Sequence, residues 1–211
     1  LDIVRNNPET RHQVAAWAIS AVDRGVVGFG LGGTEDGYPP EWFADAFGMA
    51  QEAGLHSVPH AGEVVGPESV WGAIRELGAE RIGHGVRSIE DPELVDYLRR
   101  HQIPLEVCPT SNLCLGTYDS YEEHSIRALW EEGVYVTLNS DDPPMFDTDL
   151  VGEYKVLADE LGFTVADLQQ LNLNALRASY LSPREKAVLE RSFVSEFARL
   201  EAKHLVNGGG I

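Results

Sequence analysis

Four short polar clusters in this chain carry residue types suited to proton and metal chemistry. His60-Ala-Gly-Glu63 sets an imidazole three residues before a carboxyl group, with two small residues between them that let the backbone turn. A neutral imidazole is a good zinc ligand and glutamate a common proton carrier, so this pair suits metal-assisted hydrolysis. Taken alone it reads more readily as a core histidine beside a solvated glutamate. Gly83-His84-Gly85 removes bulk from both sides of a ring, either to admit a close partner or to make a tight turn. Asp141-Asp142 sets two carboxylates side by side before Pro143-Pro144, and burial of either requires a cation, donors or solvent. A metal on one and a substrate N–H on the other would satisfy both; so would water around an acidic turn. The loop Gly30-Leu-Gly-Gly-Thr-Glu35 offers close backbone approach to a ligand, without a Walker or dinucleotide fingerprint. Cys108 reads as packing, because no base is marked beside it and Cys108 and Cys114 lack C-x-x-C spacing. His12, His56, His101, His124 and His204 fall on helical or loop stretches and read as surface or structural residues.

Each cluster lies where a β-rich run ends. Strands are expected at residues 25–31, 57–60, 81–84, 104–108 and 135–140, alternating with amphipathic helices as in α/β folds with a parallel sheet. Pro39-Pro40 opens a helix that Gly54 closes, and Pro67 suits the first position of another that ends before Gly78. Asp91-Pro92 starts the next, and residues 121–132 carry Ile126, Leu129 and Trp130 on one face ahead of Gly133. Helices are expected over 150–161, 164–179 and 183–205, with Thr164 and Asp167 forming a variant capping box. Residues 207–211 read as a frayed tail. The pattern predicts one domain over residues 1–211. Five strands fit part of an eight-stranded barrel or an open sheet equally well, but both place active sites where strands end.

Composition narrows the partners. The 211 residues carry 34 acidic against 16 basic side chains, a formal net charge of −18. Such a surface repels phosphate backbones and argues against nucleic acid. No apolar run approaches the ~18 residues of a membrane helix. Two cysteines fit a reduced, cytoplasmic protein, and the chain opens on leucine, as expected if a segment precedes it.

Taken together and in this order, the clusters are specific. His60-Ala-Gly-Glu63, Arg81-Ile-Gly-His-Gly-Val86, Cys108-Pro-Thr-Ser-Asn112 and Asn139-Ser-Asp-Asp-Pro143 resemble the adenosine and adenine deaminase family, which includes aminodeoxyfutalosine deaminases. The resemblance runs from about residue 26 to 146. It implies a (β/α)8 TIM-type barrel of the metal-dependent hydrolase kind, with extra C-terminal helices, that deaminates a small 6-aminopurine compound. In that reading His60 and Asp141 bind Zn2+, Glu63 protonates purine N1, and His84 orients the attacking water as base or electrostatic stabiliser. Asp142 meets purine N7, and the Gly33 backbone meets N3. The last match is looser, with Gly32 and Thr34 where the family more often has alanine and aspartate.

The family also draws two zinc ligands from a His-x-His motif on its first strand, and no two of the seven histidines here are separated by one residue. The expectation is that the first barrel strands and both ligands lie upstream of Leu1, and that the open edge invites oligomerisation. An inactive, purine-binding homologue and another metal-dependent hydrolase are the competing readings. Among aminopurines, adenosine, adenine and aminodeoxyfutalosine stay open.

Overall fold

The computed structural model describes residues 1–205, so the expected tail at 207–211 lies outside the described residues. Six strands form one parallel sheet: β1 (Asp2–Val4), β2 (Gly28–Gly32), β3 (His56–Ala61), β4 (Ile82–His84), β5 (Leu105–Val107) and β6 (Val136–Leu138). Their spatial order is their sequence order, and every neighbouring pair is parallel. That order decides between the two architectures left open above. A doubly wound sheet reverses direction at a switch point, whereas a chain that always steps to the same side builds a (β/α) barrel wall. All six C-terminal ends therefore lie along one edge.

Five of the six strands coincide with expected runs. The sixth, β1, precedes them, so the loop after β2 is not the first element of the barrel wall present. Three residues at the chain start, of which only Ile3 is buried, leave no alternation to detect.

Between the strands run α1 (Arg11–Ile19), α2 (Ala44–Glu52), α3 (Pro67–Leu77), α4 (Pro92–His101), α5 (Pro109–Cys114) and α6 (Ile126–Glu131), while α7 (Pro143–Phe146) and α8 (Leu150–Asp159) follow β6. Their ends follow local chemistry. Asp91 caps α4 by accepting the N–H groups of Glu93 and Leu94, and Gly78 closes α3 in the left-handed conformation at φ 58°. The helix expected over 121–132 begins only at Ile126. The His124 side chain takes the Ile126 N–H and Ser125 Oγ donates to the Val86 carbonyl, so both residues are committed to tertiary contacts before the helix starts.

The chain divides into two compact units, Leu1–Gly162 and the segment from Phe163 onward. The second holds α9 (Val165–Ala178) and α10 (Pro183–His204). Both begin with full capping boxes, Thr164 with Asp167 and Ser182 with Glu185. Gln169 bonds Glu201, and Lys186 donates to the Arg177 carbonyl. No helix among the described residues is long and apolar enough to cross a membrane.

Burial concentrates where α1 and α2 cover β1 and β2. Ile3, Phe29, Leu31, Phe43, Phe47 and Leu77 lie in one cluster, with the Phe29 and Phe47 rings 5.0 Å apart. Phe47→Ala should cost ~3–5 kcal/mol, since the neighbouring rings cannot close the cavity. The shift of a denaturant midpoint measures it, and a loss below ~1 kcal/mol would mean that this cluster is not a packed core.

Candidate active site

The expected site residues sit at the C-terminal ends of neighbouring strands. His60 is the penultimate residue of β3, and Glu63 follows in the next turn. His84 ends β4, while Asp141 follows β6 by three residues. In the sheet register His60 is opposite Gly83 and Ala61 opposite His84. A Cβ at position 83 would stand 2.6 Å from His60 Cδ2, so only glycine admits the imidazole there. The His60 and His84 rings then meet edge to face, 5.0 Å between centroids.

His84 is the hub. Its Nε2 lies 3.4 Å from Glu63 Oε1 and 3.7 Å from Asp141 Oδ2, and its side chain is 2% exposed. Potential ligand atoms of His60, Glu63 and His84 lie within 4.8 Å of one another, as do those of His84, Cys108 and Asp141. Asp141 is held by Ser111 Oγ, which donates to its Oδ2 at 2.7 Å. Four expected residues are thus brought together. Asp142 is exposed ahead of α7 and belongs to neither grouping. Gly33 is exposed in the loop after β2 at φ 88°, where a Cβ would meet Asn6 Oδ1 at 2.9 Å.

The electrostatics separate the groups. Burial, then the charges of Asp141 and Glu35, push the Glu63 carboxyl up to about 7, so it holds a proton far above the ordinary glutamate range. Its Oε1 is buried and has no hydrogen-bond partner among the described residues. Burial, reinforced by His60, holds His84 well below the usual imidazole value, which favours the neutral ring. Burial also raises the Cys108 thiol, so it stays protonated and unreactive, in keeping with a packing role.

Three residues outside the expected set build this site. Glu35, 8% exposed, accepts the backbone N–H groups of Gly62, Glu63, Val64 and Val65 and the hydroxyl of Ser69. Arg5 is fully buried and donates to the carbonyls of Tyr38 and, at 2.7 Å, His60. His124, read as surface or structural, is buried and joins His84 through Asn112. A carboxylate or arginine acting across 27 to 55 residues leaves no local signal in a sequence.

The donor set suits a divalent metal of the zinc type: imidazoles and carboxylates converge, with a carboxyl oxygen left unpartnered among them. Comparisons with known proteins identify the family. The adenosine deaminase family profile matches residues 1–195. Aminodeoxyfutalosine deaminase from Streptomyces avermitilis is 50% identical over 163 residues, 77% of this chain and 46% of that protein. Adenosine deaminase from Klebsiella pneumoniae is 45% identical over 172 residues, 82% of this chain and 52% of that protein. The chain spans about half the length of the curated relatives it matches. Among solved structures, an adenine deaminase from Arthrobacter aurescens superposes with a TM-score of 0.88 at 33% identity, covering 94% of this chain and 60% of that one. A zinc-bound amidohydrolase from Burkholderia ambifaria gives 0.90 at 28% identity, covering 96% and 57%.

Two outcomes follow from the packing. Glu35→Ala leaves four consecutive N–H groups without their acceptor and should cost at least ~2 kcal/mol, with faster amide exchange at residues 62–65; unchanged exchange there would show that the turn holds itself. Burial lowers His124 from 6.5 to about 4, so the unfolded chain binds its proton more readily. The stability it contributes is complete above pH 6.5 and is lost as pH falls toward about 4. His124→Gln should flatten the thermal-stability profile in that window, and an identical acid limb in both proteins would contradict it.

Proposed function

The chain belongs to the adenosine deaminase family, and on that premise we propose that it forms the catalytic wall of a zinc-dependent, cytoplasmic aminohydrolase of 6-aminopurine nucleosides or related compounds. The observation that carries the reading is a half-buried Glu63, its pKa pushed up to about 7, against a buried His84 and a hydrogen-bonded Asp141, at the C-terminal edge of a parallel barrel wall. Relatives named for adenosine and for aminodeoxyfutalosine match at similar identity, so the substrate class is the shared aminopurine ring.

His60 and Asp141 would hold the metal. When bound, zinc lowers the pKa of a coordinated water from 15.7 toward ~7, which makes a nucleophile available at neutral pH. The remaining work falls to this chain. Glu63 gives its proton to purine N1 as water adds to C6, so no negative charge builds up on the ring. His84 and Asp141 hold the attacking oxygen between them. The Gly33 N–H donates to N3, and Asp142 hydrogen-bonds at N7. Ammonia leaves C6 and the 6-oxo purine remains, so one water is consumed for each ammonia released.

Glu63→Gln should lower turnover at least ~10²-fold while metal content stays that of the native protein. Ammonia release from adenosine, adenine and aminodeoxyfutalosine, read beside metal analysis, tests this. Near-native turnover in the variant would remove Glu63 as proton donor, and no turnover of any aminopurine by the metal-loaded native protein would overturn the reading.

A further inference from the structure

A buried line of hydrogen bonds reaches His84 from behind the site. It begins at Ile126, the first residue of α6, whose backbone N–H donates to His124 Nδ1 at 3.0 Å. A backbone N–H only donates, so His124 Nδ1 carries the lone pair and the ring is neutral, with its proton on Nε2. Nε2 lies 3.1 Å from Asn112 Oδ1, the one atom of that amide able to accept it. The amide nitrogen then necessarily faces the other way, and Asn112 Nδ2 is 3.3 Å from His84 Nδ1. A donor at Nδ1 leaves the single proton of His84 on Nε2. Asn112 is 0% exposed, His124 3% and His84 2%, so water does not compete for these bonds.

We infer that Asn112 and His124 are positioning residues that fix His84 as its Nε2–H tautomer, so that the ring presents a donor to the space between Glu63 and Asp141. The direction of the chain is set by the peptide N–H of Ile126, which cannot reverse. Each link is the only donor–acceptor assignment compatible with the one before it. The tautomer stands on this geometry alone; its consequence, that His84 donates to the attacking oxygen and does not take a proton at Nε2, rests on the deaminase reading.

Two variants separate this from mere packing. In Asn112→Asp an ionised carboxylate accepts where the amide donated, which moves the His84 proton to Nδ1. His124→Gln keeps a donor at the Nε2 position and should preserve the native tautomer, whereas His124→Leu removes it. Imidazole 15N resonances of the protein should show a protonated Nε2 and a lone-pair Nδ1 at His84, reversed in Asn112→Asp and retained in His124→Gln. On a metal-loaded aminopurine assay, Asn112→Asp and His124→Leu should lose at least ten-fold in kcat with KM little changed, and His124→Gln should recover most of it. A protonated Nδ1 on His84 in the native protein overturns the inference, whether or not the variants fold. So does an unreversed tautomer in a folded Asn112→Asp. The expected tautomers in a protein that deaminates no aminopurine would uphold the inference and overturn the functional reading instead.

Discussion

The turn carrying Glu63 is organised around a single carboxylate. Glu35, from the loop after β2, accepts four consecutive backbone N–H groups at residues 62–65 and the hydroxyl of Ser69 in the first turn of α3. Removing an ionised carboxylate from water costs several kcal/mol unless its lone pairs are met, and here they are met by five donors. The donors are available because Gly62 turns at φ 68° and starts a run of N–H groups pointing the same way. The positive end of α3 lies beside them and favours the same charge. Backbone and carboxylate thus fix each other, and the Glu63 side chain departs from a turn with little freedom left.

Arg5 holds the other end of that segment. Its guanidinium, fully buried, donates to the His60 carbonyl from the end of β1. Burial lowers its pKa while the charges of Glu35 and Glu41 act in the opposite sense, so the buried cation is balanced by neighbouring anions. His60 and Glu63 are therefore placed by two opposite charges delivered from two other strands. This dependence gives β1 a role beyond extending the sheet, and it ties the placement of His60 and Glu63 to the integrity of the first two βα units.

What the sequence reveals follows from the range of the forces involved. Strand runs and helix ends are local, and five strands and most helix caps were expected close to where they occur. The four clusters were legible because their residue types are chemically unusual at strand ends. Glu35 was visible only as an acid in a Gly-rich loop, and Arg5 not at all, because their partners are 27 to 55 residues away. His124 was misread as helical because a periodic apolar face at Ile126 and Leu129 extends the helix signal backward over residues that are committed to tertiary bonds. The strand β1 escaped because three residues cannot display a period.

Backbone strain links these observations. Among the described residues, four non-glycine residues have positive φ: His84, Gln102, Asp141 and Asp147. Gln102 and Asp147 close α4 and α7, where the left-handed conformation is an ordinary helix ending. His84 and Asp141 close no helix. Each costs about 1–3 kcal/mol that surrounding contacts must offset. Hydrogen bonds to both come from one place, because Ser111 holds Asp141 and Asn112 holds His84, adjacent residues of the short helix α5 that follows β5. The segment Cys108-Pro-Thr-Ser-Asn112 thus matters through its last two residues, not its cysteine. Consecutive side chains on a helix point about 100° apart, so Ser111 and Asn112 reach different strand ends, Asp141 after β6 and His84 at the end of β4. The left-handed residues of β4 and of the loop after β6 turn their side chains toward that helix, so the strain and the hydrogen bonds that offset it are set by the same strand order.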